Sequence, residues 1–322
     1  MKRRRLRAVA PAGERSVDLS VELGPIALSN PVIAASGTFG HGDEVATLCD
    51  PRGLGAVTVK SVAAFAWTGN RPLRVAEAPG GGMLNSVGLP GPGVDAWIER
   101  DLPALEARGA RVIASIWGRS VEEYVAAASP LKSVAHRLTA VEINLSCPNV
   151  EARGDVFAHS ESSTRAATLA VVGALGGSVP TFAKLSPNVT DIVAIASAAL
   201  DAGVTGLTLI NSMMGLLIDA RQRTARLGAG GGGLTGTPIK PIALRAVWEV
   251  ARAHPGVPII GTGGVSTGED AIEMLLAGAS AVGVGTATFA DPRAPLRIVS
   301  EIDTWCAANA VRHVRDLIGG LR

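Results

Sequence analysis

From residue 31 onward one rhythm recurs along the chain: a short apolar or β-branched run, a small or polar cluster, then a stretch with helical spacing. The runs are Val32 to Ser36, Ala56 to Ser61, Arg111 to Ile116, Ala140 to Ser146, Thr181 to Ser186, Gly206 to Asn211, Pro258 to Gly263 and Ala281 to Thr286. Their near-continuous apolar character is that of strands buried on both faces of a parallel sheet. Helices are predicted over 94–108, 120–135, 162–176, 190–202, 238–254 and 268–277, several opened by a capping residue such as Ser120, Thr190 or Thr267. Eight βα units predict an α/β protein closed into a (β/α)8 TIM barrel, with an open doubly wound sheet as the alternative. Upstream, Asp18 to Leu23 and Pro25 to Leu28 alternate apolar and polar residues around Gly24, which predicts a β-hairpin capping the barrel floor.

Composition fits one such barrel: 322 residues, 47% hydrophobic, 18% charged and 39 glycines. A single domain over 17–322 is expected, preceded by a basic tail over 1–16 that stays solvated and disordered. The net charge is only +2 and aromatics are 3%, so neither a broad cationic face nor stacking platforms are available for nucleic acid. No 18-residue apolar run suggests a membrane span, and no apolar stretch follows the basic start as in a secretory signal. A cytoplasmic protein acting on a small molecule is the expectation. Three widely spaced cysteines, Cys49, Cys147 and Cys306, argue against a disulfide framework, and with the five histidines they form no metal-ligand spacing.

In such a barrel the chemistry sits at the carboxyl ends of the strands. Four successive ends are polar: Lys60-Ser61, Asn144 to Cys147, Lys184 to Ser186, and Asn211-Ser212. The linkers at about 62–93 and 212–237 far exceed the usual length of about 4–6 residues, which marks them as a cover for that mouth. Strands 7 and 8 end in Gly261-Thr262-Gly263-Gly264 and Gly283-Val284-Gly285-Thr286, turns whose N–H groups suit a phosphate, although tight turns alone also use glycine. Lys60 and Lys184 end otherwise apolar runs, where a charge is costly unless it meets a polar ligand or snorkels to solvent. Each fits a Schiff base with a carbonyl substrate, or a fixed charge beside a reduced flavin. Cys147 precedes Pro148, which fixes the turn, and its thiol is a candidate base or nucleophile. Cys49 and Cys306 fall in helical stretches and read as buried, inert thiols.

These motifs, taken in order, resemble the FMN-binding catalytic subunits of the dihydroorotate dehydrogenase family, most closely the class 1, heteromeric, NAD-linked type B. The resemblance runs from about Asp18 to Pro292. It rests on Ala35 to Gly40, Lys60-Ser61, Gly82 to Leu89, Asn144 to Asn149, Lys184 to Asp191, Leu209 to Ser212, Gly232 to Pro241 and the two glycine turns. It implies oxidation of (S)-dihydroorotate to orotate in de novo pyrimidine (UMP) biosynthesis. Cys147 would remove the proton at C5, and the hydride at C6 would pass to N5 of FMN.

Substrate contacts are implied for Lys60, Asn144, Asn211 and Ser212, and for the loop Asn85, Ser86, Val87, Gly88 and Leu89. FMN contacts are implied for Ser36, Lys60, Ser61, Asn144, Lys184 and Ile210, then for Gly236, and at the phosphate for Gly263, Gly264, Gly285 and Thr286. Ser115 occupies a flavin-contact position where many relatives carry Asn, and it reaches less far.

The same resemblance implies a partner subunit carrying FAD and a 2Fe-2S cluster that delivers electrons to NAD, and a homodimer of this chain within a heterotetramer. A plant-type cluster needs four cysteines, and this chain has three, far apart. The fumarate-linked type also uses Cys and stays an alternative, as does an FMN barrel like the pyrimidine-reducing domain of dihydropyrimidine dehydrogenase. A lysine-dependent aldolase or isomerase barrel is the alternative from another class.

Overall fold

Eight parallel strands close into a barrel in the order of the chain: Val32–Ala34, Ala56–Thr58, Val112–Ile116, Ala140–Asn144, Thr181–Lys184, Gly206–Leu209, Ile259–Thr262 and Ala281–Val284. The computed structural model in which they are seen describes residues 17–146 and 157–322. The basic tail 1–16 and Cys147 lie outside the described residues. The closed ladder excludes the doubly wound alternative. Every residue of the eight strands is buried, as the apolar runs require. Most observed strands stop one to three residues short of the sequence-predicted ends, because the final residues turn out of the ladder to form the mouth.

Helix boundaries follow their capping chemistry. Ser120 accepts from Glu123 N ahead of Val121–Ala128, and Thr267 forms a capping box with Asp270 ahead of Gly268–Ala277. Helix Ile192–Asp201 begins later than predicted, since Asp191 and not Thr190 accepts from two backbone N–H groups, Val193 and Ala194. The 94–108 span is broken by a π turn at Trp97–Asp101, next to Pro103, which has no N–H to offer residue 99. Two units depart from the expected rhythm. The first βα connection holds no α-helix, only a 3-10 turn at Pro51–Gly53. The eighth carries a short helix, Ala287–Ala290, and then Ala294–Ala308, whose Pro295 reads as a breaker but is tolerated in a first turn.

The hairpin Val21–Leu23 and Ile26–Leu28 forms as predicted. Gly24 (φ +63°) turns against Pro258, and Arg111 Nη1 donates to Ala27 O at 2.6 Å. Both contacts lie just before barrel strands, so the hairpin covers the amino-terminal floor. At the opposite end the two long linkers pair with each other. Val75–Ala78, Gly82–Asn85, Gly232–Gly236 and Met213–Gly215 form a four-stranded antiparallel sheet, so the cover read from loop length is an ordered sheet and not irregular chain.

Candidate active site

A cavity of about 980 Å³ opens between the carboxyl ends of the barrel strands and the linker sheet. Its polar floor is built by ladder register. Asn144 on strand 4 and Lys184 on strand 5 are direct neighbours, and both are nearly inaccessible to solvent. Asn144 Nδ2 donates to Ser61 Oγ at 3.0 Å, its Oδ1 accepts from Asn211 Nδ2 at 3.3 Å, and its carbonyl accepts from the Tyr124 hydroxyl at 2.7 Å. Ser61 Oγ also lies 3.3 Å from Ser36 Oγ. Four of the predicted residues, Ser36, Ser61, Asn144 and Asn211, therefore share one web that spans strands 1, 2, 4 and 6. Such a web fixes where each group can point, because moving one breaks its neighbours' bonds. Lys60 lines the same space, and an ideal Cβ on Gly37 (φ +90°) would stand 3.3 Å from its Nζ.

At the other end lie the two glycine turns. Gly263 (φ +127°) and Gly264 (φ +80°) hold conformations that side chains rarely adopt, and a Cβ on Gly264 would come 2.8 Å from the backbone N of Lys240. The turn is pinned from behind by Asp270, which accepts from Lys240 Nζ at 2.6 Å and from the backbone N of Ser266 and Thr267 at 2.8 and 2.9 Å. Burial pushes the Asp270 carboxyl up, but the bonds from Lys240, Ser266 and Thr267 outweigh it and hold the group at about 2. Gly285 and Thr286, at the end of the neighbouring strand 8, line the same cavity, as does Gly236 on the linker sheet.

The loop Asn85 to Leu89 also reaches the cavity. It is held by Ser86 N donating to Arg74 O at 2.8 Å, Asn70 N donating to Val87 O at 3.1 Å, and Trp67 Nε1 donating to Gly88 O at 2.8 Å. Asn85, Val87, Gly88 and Leu89 line the space, together with Ile210, Asn211 and Ser212 from strand 6. Two predicted residues do not. Ser86 turns inward and is fully buried, and Ser115 lies behind the floor, 2.8 Å from Ser61 Oγ and 3.1 Å from Glu142 Oε1. Cys147 immediately follows described Ser146, whose Oγ and carbonyl both accept from Asn211 Nδ2 at 3.0 and 3.1 Å.

A family model described as dihydroorotate dehydrogenase matches residues 18–305. The chain belongs to the dihydroorotate dehydrogenase family. Within it, the chain is 44% identical over 305 residues to a dihydroorotate dehydrogenase B (NAD(+)), catalytic subunit, of Alkaliphilus metalliredigens, covering 95% of this chain and 99% of that one. A protein of the same name from Geobacter sulfurreducens is 44% identical, covering 94% and 98%. A Solibacter usitatus protein, named provisionally as dihydroorotate dehydrogenase A (fumarate), is 46% identical, covering 92% and 96%.

Among family features, the glycine turns, strand-end lysines and asparagines were legible in the sequence. The side chains that hold them were not. Asn188 Nδ2 donates to Ser212 O at 3.0 Å while its Oδ1 accepts from Met214 N at 2.8 Å, tying strand 5 to the linker sheet. Arg119 lies 4.4 Å over the Trp67 ring and 4.7 Å over Phe65, bracing the residue that holds Gly88. Cys49 and Cys306 are buried, and burial pushes both thiols up to about 11, as inert core thiols require. Among the described residues no group of acidic, His or Cys side chains could hold a metal, and no helix is long and apolar enough to cross a membrane.

Proposed function

We propose that this chain is an FMN-dependent catalytic subunit that oxidises (S)-dihydroorotate to orotate in pyrimidine biosynthesis. The observation that carries the reading is one cavity with a phosphate-suited glycine cradle at one end and a floor of converging amides and lysines at the other. The residues fit FMN. Gly263 and Gly264 line the cavity with bare backbone in positive-φ turns that no side chain fits, the volume admits a flavin nucleotide beside a small acid, and Lys184 presents a cation from a site 6% exposed. When bound, FMN supplies at N5 an acceptor for the hydride leaving C6 of the substrate.

The chain's own groups do the rest. Gly263, Gly264, Gly285 and Thr286 hold the phosphate, while Ser36, Ser61, Ile210 and Gly236 seat the ring and ribityl chain. Lys184 places positive charge where negative charge develops on reduction. Asn144, Asn211, Ser212 and Lys60 bind the substrate's carboxylate and ring amides, and Asn85 to Leu89 close over it and exclude water. Cys147 takes the C5 proton as the hydride leaves C6, so the electron pair of the C5–H bond becomes the C5=C6 double bond. The reading is tested by purifying the chain. Yellow protein that releases FMN on denaturation, and bleaches stoichiometrically with dihydroorotate, is expected; colourless protein that takes up no FMN refutes it.

The electrons leave through a partner subunit carrying FAD and a 2Fe-2S cluster to NAD. This is supported by the type B names of most similar relatives and by the three cysteines of the chain, one fewer than such a cluster needs. A second reading, with fumarate as direct acceptor, is favoured by the 46% identity to the Solibacter protein. Re-oxidation of the isolated, dihydroorotate-reduced chain by fumarate decides between them.

A further inference from the structure

The layer beneath a barrel mouth is ordinarily packed with branched apolar side chains. Strand 4 of this barrel puts a carboxyl group there. Glu142 lies two residues before Asn144, so it shares that residue's inward face one layer deeper, and it is 2% exposed. Its ladder neighbours are Ser115 on strand 3 and Phe182 on strand 5. Ser115 Oγ donates to Glu142 Oε1 at 3.1 Å, and Lys184 Nζ lies 4.0 Å from the same oxygen. Ser115 is in turn 2.8 Å from Ser61, the hub of the floor web.

Both charged side chains are almost without solvent, at 8% and 2% exposure, so water screens their mutual field little. A separation of 4.0 Å is an ion pair longer than a hydrogen bond, which leaves the ammonium's donors for other acceptors. The short serine matters here. Its hydroxyl reaches both Ser61 and Glu142, and so links the cavity floor to the buried carboxylate.

We propose that Glu142 is a positioning residue: held by Ser115, it anchors the Lys184 ammonium at the cavity floor and offsets part of its charge, so setting how strongly that lysine favours the reduced flavin. This rests on the FMN reading above. With the carboxylate neutralised, Lys184 presents its whole charge to the cavity, and a reaction that adds negative charge there becomes more favourable.

The test compares the midpoint potential of FMN bound to the wild-type chain and to Glu142→Gln, by equilibration with a reference dye. Gln keeps the shape and an acceptor for Ser115 but removes the charge. The reduction equilibrium is expected to move at least tenfold toward the reduced form, about 30 mV upward for a two-electron couple. A role in packing alone would not move it. If Glu142→Gln does not retain flavin, Glu142→Asp is read by the same criterion, since it keeps the charge but withdraws it from Lys184. A bound-flavin equilibrium within twofold of wild type overturns the proposal and leaves the FMN reading standing. Wild-type chain that binds no FMN overturns that reading, and this inference with it.

Discussion

Replacing Asp270 by Asn should cost about 2 kcal/mol at neutral pH, and that cost should fade in acid. The carboxylate is held at about 2 against an ordinary value of 3.8, a depression of roughly 1.8 units, and each unit corresponds to about 1.4 kcal/mol. Because the folded value lies below the unfolded one, the stabilisation is fully present above about pH 4 and is lost as pH falls toward 2. By linkage, about half of it is gone at pH 3. Asn keeps one acceptor but turns an N–H toward donors that now lack a partner, so the turn carrying Gly263, Gly264 and Ser266 loosens with it. Thermal unfolding of both proteins, followed at pH 7 and pH 3, measures the effect. A loss of about 3–6 °C is expected at pH 7, given about 2–4 °C per kcal/mol for domains of 150–250 residues and less for longer chains. The variant should also release FMN more readily. A difference in stability that is the same at pH 3 as at pH 7 would refute the electrostatic account of this network.

Other substitutions probe the remaining parts of the site. Cys147→Ala should keep its flavin yet reduce it with dihydroorotate at least ~10²-fold more slowly, and Cys147→Ser should regain part of the rate at high pH; unchanged single-turnover reduction in the alanine variant would show that the thiol is a bystander. Gly264→Ala forces a Cβ to 2.8 Å from the Lys240 backbone at φ +80°, so the purified protein should lose its yellow colour and about 1–3 kcal/mol of stability. Trp67→Ala removes the hydrogen bond to Gly88 O and the stack under Arg119; KM for dihydroorotate should rise about tenfold with kcat less affected, and an unchanged KM counts against a clamping role.

The barrel was legible because its signals are local and repeated. Eight buried strands leave eight apolar runs, and helix caps such as Ser120 and Thr267 act on N–H groups three residues away. The linker sheet was not legible as a sheet. Val75–Ala78 and Gly82–Asn85 are separated from Met213–Gly215 and Gly232–Gly236 by well over a hundred residues, and pairing at that range leaves no periodic mark in either segment. The same distance rule divides the site. Residues that face the cavity announce themselves at strand ends, because polarity after an apolar run has a local cause. Residues that hold them, such as Asn188, Trp67 and Asp270, look like ordinary loop or helix positions until the fold brings their partners close.

Glu142 belongs to neither group. A charge in the middle of an apolar strand run contradicts the burial that the run itself predicts, so it signals either a wrong strand or a buried ion with a partner. The ladder excludes the first, since Glu142 pairs in register with Ser115 and Phe182 on both sides. The partner then has to be a cation reachable from the barrel interior, and among the strand residues described here Lys184 is 4.0 Å away. A buried pair of this kind is a poor source of stability, because desolvating two ions costs about as much as their attraction returns. Its placement directly beneath the polar floor is therefore better explained by what it does to the charge of Lys184 than by what it adds to the core.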